Sequence, residues 1–449
     1  MKSRVLMAFG IFLVGMIIPA QSTQAATPEI ISSLINQDQY VAGIEGSQIR
    51  FSIALSGRDP TSTASTNLVI TSYRPVHTRQ EVRDASSGKL PSTVDTVIVD
   101  VSNLRDAATG RVDVAIPIEI GVRTKDALQM SATGLYPISI GLREDKSVTS
   151  QIVTFVERLP QDVTSPLPSE NFQIALIGTL DAPVSLQPDA TTQISQTTRS
   201  AITEVVSTLE ANPNTPISLA IRPELIDALG NSTDEDTSLL TRLQNAASLQ
   251  LLPTTYVDVQ PDELLAQRSS DVFTTQLRLG EDVLAAGLPT MSVNRDAWLQ
   301  TSTLLTGGAL LLRNLGLRTA VLLSNSQKTT ANGISVFADS TRLVELKLSS
   351  SDRMTAALAD TGLSAALTRG SDEPTGGPYL VAQQILAELK VLRSEIIKRD
   401  ETMSGRGIIL STESGALPTT ALVNALISSV AGQPDMSFVS LEDLLNTMT

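Results

Sequence analysis

Seven polar residues stand just behind short apolar runs in the later part of this chain: Asp181, Arg222, Glu224, Tyr256, Asp258, Arg295 and Asp296. The runs they follow are Phe172–Ile177, Ile217–Ile221, Gln250–Pro253 and Thr290–Val293, and Glu413 stands behind a further one, Ile408–Ser411. If those runs are parallel strands, the polar residues collect where such sheets place ligands, beyond the C-terminal strand ends. Two carboxylates there could act as acid and base on a glycosidic bond, a reaction that needs neither histidine nor metal. Tyr256 offers a flat face for a sugar ring, and Arg222 and Arg295 could hold a carboxylate or pyrophosphate. The competing reading is structural: acidic residues after a strand cap the next helix, and Pro223-Glu224 and Pro261-Asp262-Glu263 both look like helix first turns.

Other chemistries are poorly supplied. The chain has no cysteine and one histidine, His77, in the polar stretch Arg74–Gln80. Zinc hydrolases bring two or three imidazoles to their ion, and a Ser-His-Asp hydrolase needs its histidine in a cleft. A surface-loop role is expected for His77, with no metal site and no cofactor. Asp234-Glu235-Asp236 lacks the spaced oxygens of a calcium loop and reads as a helix start. The first turn, Leu176–Asp181, carries no glycine-rich phosphate motif.

The formal charge of −14 disfavours nucleic acid as a partner. The N-terminus reads as an export signal: Lys2 and Arg4, an apolar run from Val5 to Ile18, Pro19, then small residues near Ala25. Cleavage after residues 1–25 would place the protein outside the cytoplasm, secreted or in the cell envelope; without a cysteine no lipid anchor can form there. The membrane is a partner only if that segment stays uncleaved.

Two regions must position the candidate residues. Over residues 27–158, short alternating runs such as Gln48–Leu55, Thr96–Val101 and Val112–Ile118 are separated by turns, with no helix expected, and predict a β-sandwich. A proline-bearing connector is expected at 159–171. From 172 to 449, apolar strands alternate with helical periods, including Thr198–Leu209, Phe273–Ala286, Thr301–Leu315, Tyr379–Ile397 and Thr419–Ala431. Strands apolar on both faces between helices predict a parallel sheet, and about seven such units fit an incomplete (β/α) barrel.

The phrase Gly134-Leu135-Tyr136-Pro137 resembles the opening of a late strand in bacterial immunoglobulin-like modules. With Leu252–Asp258, Asp262 and Ala382–Leu389, the chain resembles a family of secreted actinobacterial proteins of unknown function, typically encoded beside the lipid II flippase of peptidoglycan synthesis. Members usually end in a transmembrane helix, whereas no apolar span precedes Thr449. The barrel half is similar in layout to polysaccharide deacetylases and related glycosidases. The deacetylase metal motif is missing, since the first two strands end Asp181-Ala182 and Arg222-Pro223-Glu224. The resemblance therefore implies an immunoglobulin-like sandwich before a degenerate deacetylase-like barrel. The expected role is non-catalytic binding of a cell-wall glycan or envelope protein near peptidoglycan synthesis. A metal-independent, carboxylate-dependent glycoside hydrolase is the alternative.

Overall fold

A computed structural model describes residues 30–57, 67–101, 104–106, 108–121, 124–144, 147–167, 170–293, 295–329, 339–372, 376–399 and 402–448. The segment expected to act as an export signal lies outside the described residues. The chain is a multidomain mixed α/β protein.

The first part comprises β1 (Ile30–Gln37), β2 (Tyr40–Gly43), β3 (Gln48–Ser56), β4 (Asn67–Tyr73), α1 (Arg79–Ser86), β5 (Thr93–Asp100), β6 (Arg111–Glu119), β7 (Leu128–Gln129), β8 (Gly134–Glu144) and β9 (Ser147–Gln161). One sheet runs β1-β3-β6-β7 and the other β2-β9-β8-β4-β5. Alternation drives the packing: in β6 Val112, Val114, Ile116 and Ile118 are buried while Arg111, Asp113 and Ala115 face out. Those valines and isoleucines share one core with Ile70, Ile138 and Ile140 of the opposite sheet. The Tyr136 hydroxyl, at the start of β8, accepts from Ala132 N at 2.9 Å and donates to Ala132 O at 2.8 Å.

Two expectations need correcting here. A helix, α1, interrupts the strands, because Thr78 and Glu81 form a reciprocal capping box that satisfies its first turn. Leu159 to Gln161 belong to β9 rather than to the connector. His77 is exposed, and its backbone N–H donates to Glu81.

The second part contains β10 (Phe172–Leu180), α2 (Gln196–Ala211), β11 (Ile217–Ile221), α3 (Pro223–Gly230), α4 (Asp234–Gln244), β12 (Leu249–Leu251), α5 (Pro261–Ala266) and α6 (Ser270–Gly287). It continues with β13 (Ala297–Gln300), α7 (Thr306–Asn314), β14 (Thr319–Leu322), α8 (Ser324–Thr329), β15 (Val344–Lys347), β16 (Arg353–Leu358), α9 (Thr361–Asp372), α10 (Pro378–Lys398), β17 (Gly407–Leu410), α11 (Thr420–Ala431), β18 (Met436–Phe438) and α12 (Leu441–Thr447). Parallel pairing joins β12-β11-β10-β17 in one sheet and β13-β14-β16 in another, with β15 antiparallel on β16. A single parallel bridge, Ala359 to Ile409, joins the two sheets between β16 and β17, and another, Leu251 to Val293, ties β12 to the segment that leads into β13. The parallel strands thus curl into a ring with two weak seams.

Alternate strand residues face inside and outside. Ala175 and Ile177 of β10 join Leu299, Val321, Ala357 and Ile409 in an inner core, while Ile174 and Leu176 pack outward under the helices. Leu441, Leu444 and Leu445 of α12 belong to the inner core, and the Leu441 N–H bonds Ser218 and Gln250 near the starts of β11 and β12. The last helix therefore closes the N-terminal end of the ring.

The two parts share α10. Its Leu380 enters the sandwich core, and Ala387 and Val391 pack with Val82 of α1 and Phe155 of β9. Its opposite side supplies Ile385, Leu386 and Leu389 to the core around β10. No helix among the described residues is long and apolar enough to cross a membrane.

Candidate functional site

With one end of the ring closed by α12, the open end is the one formed by the C-terminal strand ends. Asp181 follows β10 directly. Arg222 follows β11 directly and is the N-cap residue of α3. Asp258 lies in the loop between β12 and α5. The sparsely exposed Arg222 side chain gathers them: its Nε and Nη2 donate to Asp181 Oδ1 at 2.9 and 2.8 Å, and Nη2 stands 3.5 Å from Asp258 Oδ1. Two carboxylates from different strand ends thus meet on one guanidinium nitrogen.

The network continues around the rim. Asp258 accepts from Gln260 Nε2 at 3.0 Å, and Gln260 Oε1 accepts from Ser302 Oγ at 2.6 Å and Gln300 Nε2 at 3.3 Å. Gln300, at the end of β13, in turn accepts from the buried Trp298 indole at 2.8 Å. Gln260, Gln300 and Ser302 escaped the sequence reading. The run Ala297-Trp298-Leu299-Gln300, bounded by Thr301-Ser302-Thr303, was the available signal.

Glu224 takes the second helical position of α3, behind Pro223. It is 3 % exposed. Its Oε1 accepts from Ser185 N at 2.8 Å and Leu186 N at 3.0 Å, pinning the loop after β10. Its Oε2 has no hydrogen-bond partner.

Tyr256 is turned elsewhere. Its hydroxyl donates to Asp227 on α3 at 3.1 Å, and Val257 and Asp258, not Tyr256, line the adjoining cleft. Burial, then the bond to Asp227 and the nearby charges of Asp227 and Glu224, push the phenol up to about 12.

Arg295 and Asp296 do not belong to this rim. The strand expected at Thr290–Val293 contributes a single bridge, and the paired strand begins at Ala297. Both residues therefore precede their strand and lie at the closed end. Arg295 forks onto Glu281 of α6 at 2.6 and 2.5 Å and donates to Leu315 O, while Asp296 pairs with Arg318 at 3.2 Å. They tie helices to the ring. Glu413, after β17, donates its backbone N–H to Thr368.

Three hollows meet at Asp181. One of about 240 Å³ sits in the ring mouth, lined by Thr179, Arg222, Asp258, Gln260 and Thr301. A cleft of about 570 Å³ lies beside it, between Arg222, Glu224, Val257 and the loop Ala182–Val184. A third, about 220 Å³, opens between α2 and Leu417-Pro418. A separate hollow on the sandwich, about 310 Å³, is lined by Arg111 and Asp113, which pair with each other. No group of three histidine, aspartate or glutamate side chains among the described residues could hold a metal ion.

No protein-family model matches the chain, and no curated sequence matches it. Among solved structures, a 4-alpha-glucanotransferase from Thermococcus litoralis is similar over 62% of this chain and 41% of its own, at 11% identity and a TM-score of 0.43. A putative beta-galactosidase from Bacteroides fragilis covers 68% of this chain and 40% of its own, at 12% identity and a TM-score of 0.18. A beta-glucuronidase from Parabacteroides merdae covers 66% and 35%, at 6% identity and a TM-score of 0.19. The chain spans less than two thirds of the length of each.

Proposed function

We propose that this is an exported cell-envelope protein whose ring mouth binds a glycan chain without cleaving it, close to peptidoglycan synthesis. The observation that carries the reading is Arg222, whose Nη2 stands beside both Asp181 and Asp258. Charged, planar groups fixed by one another present donors and acceptors in set directions, which suits a ligand rich in hydroxyls. The three hollows joined at Asp181 supply length for more than one sugar ring. The net charge of −14 keeps nucleic acid out of consideration. We read the first part as an immunoglobulin-like sandwich. The parallel pairing of β2 on β9 and the Tyr136 hydroxyl bonded back to Ala132 support that reading. The chain's place in the actinobacterial family and the deacetylase-like character of the ring remain part of the same proposal.

The hydrolase reading has one observation in its favour. Asp181 and Asp258 come from different strand ends and meet on one nitrogen, as a pair of carboxylates flanking a glycosidic bond would have to approach each other. Against it, the guanidinium stands beside both acids, where the scissile bond would have to lie.

Calorimetry with soluble peptidoglycan fragments and β-linked oligosaccharides, run beside a reducing-end assay, separates the two. Binding without new reducing ends, weakened in Arg222→Met while the fold persists, is the expected result. Steady release of reducing ends that vanishes in Asp181→Asn or Asp258→Asn would establish hydrolysis instead.

A further inference from the structure

Resting on that glycan reading, we propose that the cleft beside the ring mouth accepts a sugar carrying a protonated amine, with Glu224 as its counter-charge. The cleft is walled by three carboxylates, Asp181, Glu224 and Asp258, against one cation, Arg222. Arg222 is already committed to Asp181 and Asp258. Glu224 is almost fully buried, and one of its oxygens is satisfied by the two N–H groups of the pinned loop. The other, Oε2, has no partner. A buried carboxylate oxygen left unbonded is costly, and a ligand that donates to it recovers that cost.

The donor's character follows from the surroundings. A neutral hydroxyl would satisfy the hydrogen bond but leave the surplus negative charge of the cleft in place. A metal ion is a poor alternative, because no three carboxylates here stand close enough to share one. An ammonium supplies both the proton and the charge, and its N–H to carboxylate bond is of the stronger, charge-assisted kind. The cleft's other wall, Pro183, Val184 and Val257, suits the apolar face of a sugar ring.

The test is calorimetric titration of the full mature chain with three tetrasaccharides, at a pH where free amines are protonated. These are a β-1,4-glucosamine tetramer, its fully N-acetylated form and cellotetraose. The glucosamine tetramer is expected to bind about tenfold tighter than the two uncharged chains. Glu224→Gln keeps a carbonyl for Ser185 and Leu186 but removes the charge; it should erase that preference. If the variant does not fold, salt provides the second reading, since the preference in the unaltered protein should shrink as ionic strength rises. Equal affinity for all three ligands, or a preference indifferent to both salt and Glu224→Gln, overturns the amine assignment alone. Failure of all three to bind overturns the glycan reading beneath it.

Discussion

Arg79 and Asp360 face each other fork to fork across 281 positions of sequence, with Nη1 to Oδ2 at 2.7 Å and Nη2 to Oδ1 at 2.6 Å. Arg79 belongs to α1 in the sandwich, and Asp360 follows β16 on the open rim of the ring. Glu388 of α10 completes the group, accepting from both Arg79 and Arg83 at 3.0 and 2.8 Å. The sandwich is thus fastened to the same end of the ring that carries the candidate site.

Arg79→Met should be among the most damaging single changes in the chain. It leaves the buried Asp360 without its cation and Glu388 with Arg83 alone, a loss of about 3–5 kcal/mol for breaking a buried pair from one side. Equilibrium denaturation in urea measures it. A loss below about 1 kcal/mol would mean that the network contributes no more than a surface pair.

Acid should open the same joint. Burial pushes the Asp360 carboxyl up, but the hydrogen bonds and charge of Arg79, with bonds from Leu363 N–H and Ser340, outweigh it and hold the group at about 2. A carboxyl depressed from 3.8 in the folded protein contributes stability that is complete above that value and is lost as pH falls towards 2. Asp360→Asn should flatten the stability profile between about pH 4 and pH 2, as read from urea midpoints at each pH. An unchanged slope would place the acid sensitivity elsewhere.

Protease should nick the connector between Asp162 and Glu170 without separating the halves. Helix α10 gives Leu380, Ala387 and Val391 to the sandwich side and Ile385, Leu386 and Leu389 to the ring side. Parting them would expose both sets. The two fragments should co-elute in size-exclusion chromatography and part only in denaturant; a soluble, separately eluting C-terminal fragment would contradict the shared core.

Tyr256→Phe should leave glycan affinity untouched. The hydroxyl it removes bonds Asp227, away from the cleft, so the expected effect is a stability loss of about 0.5–1.5 kcal/mol. A clear fall in affinity with unchanged stability would return Tyr256 to the binding surface.

The strand–helix alternation was legible because β10 and α10 carry strong signals: an apolar run buried on both faces, and a helix of 21 residues with a sustained apolar stripe. Helix α1 was not, since eight residues with only Val82 and Ala85 buried offer too little period to read. The same limit governed the site. Asp181, Arg222 and Asp258 follow well-marked runs, and the structure brings these three together. Arg295 and Asp296 were misplaced because the real strand begins a few residues later, and a shift of that size carries a residue from the open end of the ring to the closed one. Glu224 was legible as a helix-start acid; its second oxygen, left without a partner, depends on a loop nearly forty residues earlier and leaves no local trace.

The position of β10 bears on how the chain reaches this state. Its neighbour β11 arrives soon after it, with β18 later joining the same side, while the other edge is covered by β17 alone, from more than 220 residues further along. During synthesis that edge has no partner until β17 has been made, and its open hydrogen-bonding groups could template pairing with another chain. Closure must wait for contacts of long sequence separation, so assembly should be slow and vulnerable to association. For this protein the hazardous interval is the wait for β17, and a chaperone that shields β10 would do more for its yield than any added stability in the finished fold.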